Sequence, residues 1–472
     1  SHFHTNSNSN RNFGNRIMSK IEVNTVDVQC GSTLTLGSSG KTVTLATGAS
    51  QSGFGRTGTV DWCTTAKTSP FTASSGKGYF VNTCGGAVTV TLPSSPSAGD
   101  IVSLKDYKDT WDNNKVTVGR GGSKIFGQCI DANLNTEGQT VTLVYVDGTQ
   151  GWVNTQTDTT VVGNQYIEAT GGNAVVTCGN YKTHIFTADG CFAVTGAAVS
   201  APDNVVDYLV VAGGGGGALD YGSGAGAGGF RYFSQLSPAG SPLVAPAGLT
   251  VSATTYPITV GGGGAYATPP AANDGTSGST STFSTISSAG GGGGAGASTN
   301  PAPSGGSGAG AKGMTSGVGG SGNTPPVSPP QGNNGGTGQG GGSSEGPGGG
   351  GGAGAVGQNG VSSTNSGNGG DGSNIVDGFV GPTAPSYGTP GPAGSTRYFA
   401  GGGGGGGTSN IPGPGTGCGG AGGGGAGSSP STGARCGAGT ANTGGGGGGG
   451  SAAGLGGGAG GSGIVMIRYR YQ

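Results

Sequence analysis

The sequence carries few charges and no excess of either sign. Only 8% of its 472 residues are Asp, Glu, Lys or Arg, and the formal net charge is −1. Proteins that bind nucleic acid or anionic membranes by electrostatic attraction carry clusters of Lys and Arg. The composition therefore argues against both partners. A high net charge is also the usual mark of a disordered chain, and this chain lacks it.

The sequence is also poor in the residues of membrane spans, metal sites and catalysis. No apolar run approaches the ~20 residues that cross a bilayer, and only three histidines are present. None of the eight cysteines forms the C-x-x-C pair of a zinc site. We therefore predict a protein that is not an enzyme and needs no cofactor. The cysteines are expected to be buried or free thiols, and Cys418 with Cys436 is the pair in which a disulfide is worth testing.

Glycine is what the sequence has in excess, at 118 of its 472 residues. Much of it is gathered in uninterrupted runs, and polar or proline-containing segments of uneven length separate them. The principal runs are 213–217, 261–264, 290–294, 348–352, 401–407, 422–425 and 444–450.

Two interpretations of this glycine-rich half compete. Such segments are commonly flexible linkers, because glycine loses the most conformational freedom on ordering. A linker, however, gives no reason for apolar strands to flank the runs at 207–212 and 464–469. We predict an ordered bundle of polyproline-II-like glycine helices over 213–463 and a closing strand at 464–472. These helices make no internal hydrogen bonds, so each N–H must reach a neighbouring helix, and only glycine permits that approach.

The N-terminal segments predict a thin, associating structure. Residues 1–17 form a polar leader, in which His2 and His4 are expected to be exposed; metal binding around a trimer axis is the alternative. Residues 18–60 show a period of two, which predicts a stem of short β-repeats or a cap on the next module. So short a segment cannot bury a core alone. We therefore expect a homotrimer that associates through residues 18–160.

Residues 61–155 predict a compact sandwich or barrel-like β-domain. Trp62, Trp111 and Trp152 are expected to anchor its core, because large aromatic side chains bury the most apolar area. The predicted strands lie at 88–92, 100–107, 115–118, 140–146 and 151–155.

Residues 156–162 read as a linker and 163–212 as a β-base on which the glycine bundle is built. The turn at 188–190 predicts a hairpin between the strands on either side of it. His184 is expected to be a half-buried strand residue and not a ligand. Residues 243–260 predict a further strand-forming insertion. The predicted strands of the base lie at 174–178, 183–187, 191–194 and 205–212. The fold class is thus mainly β with almost no α-helix.

Three markers in succession resemble the glycine-rich domains of tailed-phage fibre proteins. The resemblance covers about residues 165–472 and includes the distal-tip adhesins of T-even-type phages. The β-domain is likewise similar to modules of marine and cyanophage tail fibres around residues 99–102 and 144–154. The three markers are Asp-Tyr-Leu-Val-Val-Ala at 207–212, Pro-Ile-Thr-Val-Gly-Gly at 257–262 and Gly-Ser-Gly-Ile-Val-Met-Ile-Arg-Tyr at 461–469.

This resemblance implies a virion tail fibre or adhesin, made in the host cytoplasm and extracellular after release. It implies polyglycine-II helices that carry receptor-binding loops, with a bacterial outer-membrane protein or surface polysaccharide as the receptor. Other tail fibre or baseplate proteins are the further partners it implies. The candidate receptor-binding residues are Leu219, Asp220, Tyr221, Tyr266, Asn410, Ile411 and Arg435.

Two other classes of function compete with this interpretation. An extracellular filament or matrix protein would use its glycine helices for packing alone, and near-identical repeats would favour it. A tail-associated glycan depolymerase would need a cleft with paired carboxylates. The varied segments between the runs favour the adhesin.

Overall fold

A computed structural model describes most of the chain from residue 60 onward. The predictions for the leader, for His2 and His4 and for the stem at 18–59 lie outside the described residues. In the described part, no helix is long and apolar enough to cross a membrane. The described residues are 60–155, 161–162, 164–237, 243–268, 274–296, 301–313, 317–340, 345–361, 365–381, 387–392, 394–407, 415–429, 436–451 and 456–472.

The β-domain is built from two sheets that pack face to face. The sheets have the orders β1-β3-β5-β8-β9 and β10-β7-β6-β4-β2. Strands β1, β3 and β5 are parallel to one another, as are β2, β4 and β6, so the chain winds from one sheet to the other around the core. The strands are β1 (Asp61–Lys67), β2 (Phe71–Thr72), β3 (Lys77–Val81), β4 (Val88–Thr91), β5 (Ile101–Asp106), β6 (Val116–Gly119), β7 (Ala132–Leu134), β8 (Thr140–Asp147), β9 (Gly151–Asn154) and β10 (Val161–Val162).

The core of this domain confirms part of the tryptophan prediction. Trp111 and Trp152 are fully buried between the two sheets. Trp62 is 38% exposed, so the prediction that it anchors the core is wrong. Its ring lies over Gly78 on the neighbouring strand, where an added Cβ would come within 2.6 Å of Trp62 Cδ2. Because Gly78 has no side chain, the Trp62 indole can pack over it outside the core.

The base consists of two further sheets and a small third one. Their orders are β11-β14-β18-β19-β20, β12-β13-β24-β15-β16 (with β17 paired to β15) and β21-β23-β22. The strands are β11 (Glu168–Thr170), β12 (Ala174–Cys178), β13 (Tyr181–Phe186), β14 (Gly190–Gly196), β15 (Val205–Val211), β16 (Phe230–Phe233), β17 (Leu249–Thr250), β18 (Thr255–Thr259), β19 (Ser281–Phe283), β20 (Ile286–Ser288), β21 (Ser373–Ile375), β22 (Thr389–Gly391), β23 (Gly394–Phe399) and β24 (Ile464–Arg470).

The second of these sheets, called the anchor sheet below, is buried on both faces. Strand β24 returns from the C-terminal end and lies between β13 and β15, as the sequence predicts. One face packs on the sheet of β14 and β18, and the other packs on Phe379 and Phe399. Burial on both faces explains why β15 and β24 read as continuous apolar runs and not as alternating ones.

The hairpin predicted at 188–190 is wrong. Strand β13 belongs to the anchor sheet, whereas β14 pairs with β11 and β18 in the facing sheet. The turn therefore carries the chain from one sheet to the other. Its Asp189 carboxylate accepts the Val260 N–H at 2.8 Å, which joins the turn to the end of β18.

The free thiols agree with the cysteine prediction. Neither Cys418 nor Cys436 forms a disulfide, and the same holds for the other cysteines within the described residues.

His184 is a buried core residue. It lies on β13, where its Nδ1 is 2.6 Å from the Gly171 carbonyl and its Nε2 is 3.0 Å from the Tyr469 hydroxyl. It is more deeply buried than the half-buried position expected for it. Burial lowers the pKa of His184 below its ordinary value of 6.5.

The glycine runs form an ordered bundle and not a linker. Each N–H of residues 213–217 donates to a carbonyl of another run, and the same acceptor run recurs every third residue. The bonds join Gly213 to Ser279 (3.0 Å), Gly216 to Thr276 (2.9 Å), Gly214 to Gly461 (3.0 Å), Gly217 to Gly458 (2.7 Å) and Gly215 to Gly226 (2.9 Å).

The carbonyls of the same run accept from further runs with the same period. The bonds come from Gly291 to Gly213 (2.9 Å), Gly294 to Gly216 (2.8 Å), Gly264 to Gly214 (2.8 Å), Ala267 to Gly217 (3.1 Å) and Gly447 to Gly215 (2.9 Å). A repeat of three residues per turn is that of the polyproline-II helix. Other runs thus surround residues 213–217, and this confirms the predicted bundle.

The order of the bonded residues gives the direction of each run. Runs that leave the anchor sheet in the same direction as 213–217 are called ascending, and the opposite runs are called descending. The ascending runs are 213–217, 261–267, 290–295, 307–311, 331–338, 355–360, 401–407, 423–428 and 444–450. The descending runs are 223–229, 275–279, 301–305, 317–322, 346–352, 366–372, 415–421, 437–440 and 456–463. Along the chain the two directions alternate.

We expect Gly404→Val to unfold the bundle. A Cβ at this position would lie 2.1 Å from the Gly417 carbonyl oxygen, and backbone of a neighbouring run cannot move aside as a side chain would. Overpacking of ordinary cores costs about 1–3 kcal/mol, and we expect a larger loss here, measured as the free energy of unfolding in urea. The matched control is Gly262→Val, because an added Cβ there meets nothing within 4 Å. Equal stability of the two variants would contradict the packing described.

We expect the protein to lose stability as the pH falls below 6.5, through His184. The folded state keeps this imidazole neutral while the unfolded chain binds a proton at its ordinary pKa of 6.5. The unfolded state therefore binds more protons in this window, which lowers the free energy of unfolding by up to about 1.4 kcal/mol per pH unit. Urea unfolding at pH 7 and pH 5 measures the difference. His184→Gln should show a smaller loss, and an equal loss in both proteins would contradict this assignment.

Candidate functional site

The alternation of direction places one class of connection at one end of the bundle. Each ascending run ends, and the next descending run begins, at the end away from the anchor sheet, called the far end below. The opposite connections lie beside the anchor sheet, where several are strands (β16 to β18, β19 to β20, β21 to β23). Others are tight, as at Gly422, which holds a left-handed φ of +99° between two runs. The segments that join runs at the far end are each five to eight residues long and differ in sequence, whereas those beside the anchor sheet range from one residue to the long segments 230–260 and 373–400.

The first far-end turn contains three of the predicted site residues. It lies between runs 213–217 and 223–229, and the Gly222 N–H and Ala218 carbonyl both bond to Gly450, at 3.0 and 2.7 Å. Asp220 and Tyr221 are partly exposed there, as a contact role requires. Leu219 is only 6% exposed, so its side chain packs into the bundle and is poorly placed to contact a partner.

The backbone of this turn is unusual for the residues that occupy it. Asp220 and Tyr221 hold φ angles of +56° and +58°, in the left-handed region. Left-handed backbone costs an L-residue roughly 1–2 kcal/mol, and such outliers cluster at functional sites. Glycine would fit this turn at a lower cost, in a chain that uses glycine freely elsewhere.

Of the other predicted residues, Tyr266 lies within the described part of the chain. Tyr266 is 47% exposed on the ascending run 261–267. Asn410, Ile411 and Arg435 lie outside the described residues. The runs that flank them, 401–407 with 415–421 and 423–428 with 437–440, are ascending and then descending, so their facing ends lie at the far end.

A second group of residues, which the sequence analysis missed, closes the sides of the bundle. In each case two neighbouring runs are joined at one residue by two hydrogen bonds. The N–H of that residue donates to a side chain on the neighbouring run, and its carbonyl accepts a backbone N–H from the same neighbouring run. The bonds are Thr337 N–H to Asn359 Oδ1 (2.8 Å), Cys418 N–H to Asn368 Oδ1 (2.7 Å), Ala421 N–H to Asp371 Oδ1 (2.8 Å) and Ala265 N–H to Thr276 Oγ1 (2.7 Å).

These edge side chains occupy donors that would otherwise be open to a further glycine helix. The reciprocal backbone bonds are Gly360 to Thr337 (2.9 Å), Gly369 to Cys418 (2.9 Å) and Gly372 to Ala421 (2.7 Å). Asn-Gly and Asp-Gly pairs are ordinarily turn signals, but at 359–360, 368–369 and 371–372 they lie on glycine helices. A polar residue directly before a glycine of a run is the signal that could have identified them.

No metal centre emerges from the described residues, among which no group of three or more His, Cys, Asp or Glu side chains could hold an ion.

Comparison with known proteins gives a family for this arrangement. Comparison with curated proteins gave no match. A family model described as a glycine-rich domain matches residues 187–470, which is more than half of the chain. The matched region begins just after β13, contains all of the glycine runs and ends with β24. The chain therefore belongs to the family of the glycine-rich domain.

Proposed function

We propose that this protein is a tail fibre or adhesin of a bacteriophage, and that the far end of its glycine bundle contacts a receptor on the bacterial surface. The carrying observation is the alternation of direction, which places a set of short segments of differing sequence together at the end opposite the anchor sheet. A rigid scaffold that holds variable segments is the usual division between support and recognition. An outer-membrane protein or a surface polysaccharide is the receptor class.

The chemistry of the far end supports recognition without catalysis. Asp220, Tyr221 and Tyr266 offer a carboxylate and two aromatic rings among the described residues of the far end. Aromatic side chains supply much of the binding energy in protein interfaces generally. From the sequence we further propose that residues 18–160 hold three chains together and join the fibre to other tail proteins.

We expect the double variant Asp220→Gly and Tyr221→Gly to bind cells at least 10-fold more weakly than the wild type. Both substitutions relieve left-handed backbone, so the melting temperature should stay the same or rise. Leu219 is left in place because its burial would confound the test. The assay measures binding of the labelled protein to intact cyanobacterial and other marine bacterial cells, followed by isolated outer-membrane protein and polysaccharide.

The matched control for this experiment is Asp112→Gly with Asn113→Gly, an exposed pair in a turn of the β-domain. It should bind as the wild type does. Undiminished binding by the Asp220 and Tyr221 variant would refute the placement of the receptor contact at this turn.

The edge side chains argue against the competing filament. A filament would grow by adding glycine helices to the sides of the bundle, and the acceptors on Asn359, Asn368 and Asp371 occupy donors that such helices would need. Natural sheet proteins protect their edges from association by comparable means.

We expect the triple variant Asn359→Gly, Asn368→Gly and Asp371→Gly to self-associate at concentrations where the wild type does not. The substitutions release the N–H groups of Thr337, Cys418 and Ala421 on an exposed face, and glycine allows a second bundle to approach. Each lost hydrogen bond contributes only about 0.5–1.5 kcal/mol of net stability, and somewhat more for the Asp371 carboxylate, because water replaces it. Light scattering against concentration measures the effect.

The control for self-association is Asn365→Gly, where the backbone carbonyl, not the side chain, accepts the Val361 N–H at 3.0 Å. A triple variant that keeps the size distribution of the wild type would show that the edge side chains do not limit association.

A further inference from the structure

A cleft of about 1060 Å³ opens where the β-domain meets the base, and no residue of the far end lines it. One wall comes from β6, β7 and the loop before β7, and the other from β11 and the segment after β14. Small-molecule sites typically measure about 300–1,000 Å³ and combine apolar walls with a few placed polar groups. This cleft has the size of such a site.

The polar side of the cleft is a row of groups that donate and accept hydrogen bonds. Asn133 Nδ2 donates to Asn164 Oδ1 at 2.8 Å, across the junction of the two modules. Beside this amide pair, the Lys115 ammonium forms an ion pair with the Glu168 carboxylate. Amide, ammonium and carboxylate groups side by side can bond several neighbouring hydroxyls of one ligand.

The apolar side of the cleft contains large aliphatic side chains that are unusually exposed to solvent. Ile130 is 48% exposed and Val199 is 56% exposed, and both line the cleft together with Phe126. Phe126 holds a φ of +50°, a left-handed angle that is costly for an aromatic residue. Its N–H is held by the Trp152 carbonyl at 2.9 Å, which fixes the loop that presents the ring.

Hydrogen bonds hold the second wall in place. The Val199 N–H donates to the Asn164 carbonyl at 2.9 Å. The Asn204 side chain accepts the Ala198 N–H and donates to the Ala198 carbonyl, each at 2.7 Å. The site is therefore formed before any ligand arrives, which reduces the cost of binding.

The absence of a side chain at Gly196 leaves space for the Asn164 amide that pairs with Asn133. A Cβ added to this residue would lie 1.6 Å from Asn164 Nδ2, so any side chain there would displace the amide from Asn133.

A small polar pocket of about 50 Å³ adjoins the cleft and shares the amide pair and the ion pair as lining. Tyr166 and Tyr471 also line it. Arg470 lies over the Tyr166 ring at 4.5 Å and Lys182 over the Tyr471 ring at 4.7 Å, so this pocket adds mainly polar groups to the cleft.

We infer that this cleft binds a neutral oligosaccharide of about two or three sugar units. A sugar ring presents neighbouring hydroxyls, which suit the amide and ion pairs, and an apolar C–H face, which suits Phe126 and Val199. The charge of Lys115 is balanced by Glu168, and the Asp131 carboxylate remains as a further negative group in the lining. Acidic sugars would meet this carboxylate, so neutral ones fit better. The inference does not depend on the far-end proposal, because no far-end residue lines the cleft.

The test is a printed array of neutral and acidic bacterial oligosaccharides, followed by saturation-transfer NMR and titration with the neutral trisaccharides that bind. Asn164→Ala should weaken binding at least 10-fold. Gly196→Ala should do so too while leaving every lining side chain present, because it displaces only the Asn164 amide. Asn113→Ala, on the exposed turn of the same domain, is the control and should bind as the wild type does.

The outcomes separate the possibilities. Binding of neutral trisaccharides that is lost in both cleft variants and kept in Asp220→Gly with Tyr221→Gly supports the cleft as a site distinct from the far end. No binding of neutral sugars by the wild type, a preference for acidic sugars, or unchanged binding by Asn164→Ala and Gly196→Ala would overturn the inference.

Discussion

The hydrogen bond between backbone groups of neighbouring glycine runs is the interaction on which this structure depends. A polyproline-II helix satisfies none of its own N–H or C=O groups, so each run is stable only inside a set of neighbours. Residues 213–217 donate to antiparallel runs and accept from parallel ones, with a repeat of three. The approach this demands leaves no room for side chains: a Cβ on Gly214 or Gly215 would lie 2.1 or 2.2 Å from a carbonyl oxygen. The runs of pure glycine are thus a steric requirement.

Hydrogen bonding alone would not hold such a bundle, because glycine gives up the most conformational entropy on ordering and buries little apolar area. The anchor sheet supplies the missing apolar burial. Its strands β15 and β24 lead directly into the first run and out of the last one, and they pair side by side. At the end of this pairing Asp207 receives the Arg468 guanidinium at 2.7 Å, and Arg468 also stacks on the Tyr181 ring at 3.7 Å. The two ends of the bundle are therefore joined by one buried, paired unit.

The sequence predicted the features that local pattern controls and missed those that neighbours control. Strands such as β8 and β12 follow from runs of β-branched residues between turns, and the bundle follows from blocks of glycine between apolar strands. The hairpin predicted at 188–190 was wrong because a hairpin turn and a turn that crosses between sheets have the same local sequence pattern. The prediction that Trp62 lies in the core was wrong because its ring packs over Gly78 on another strand, a contact that the local sequence does not reveal. At the site, the direction of each run could be assigned only from its hydrogen-bond pairing, which the sequence does not contain. The edge residues Asn359 and Asp371 were missed because Asn-Gly and Asp-Gly pairs ordinarily indicate turns.

The same steric rule decides where this fold can carry function. At most glycine positions inside the bundle an added side chain would meet a carbonyl, so chemistry is confined to the sides and the two ends. Beside the anchor sheet the longer connections contain strands that pack on the core, and substitutions there would disturb that core. On the sides, the side-chain oxygens of Asn368 and Asp371 already accept hydrogen bonds from backbone N–H groups. The far end remains, where a connection can change in length and composition while the runs below it keep every hydrogen bond. A surface that can vary while its support stays constant is what the proposed recognition of bacterial receptors requires.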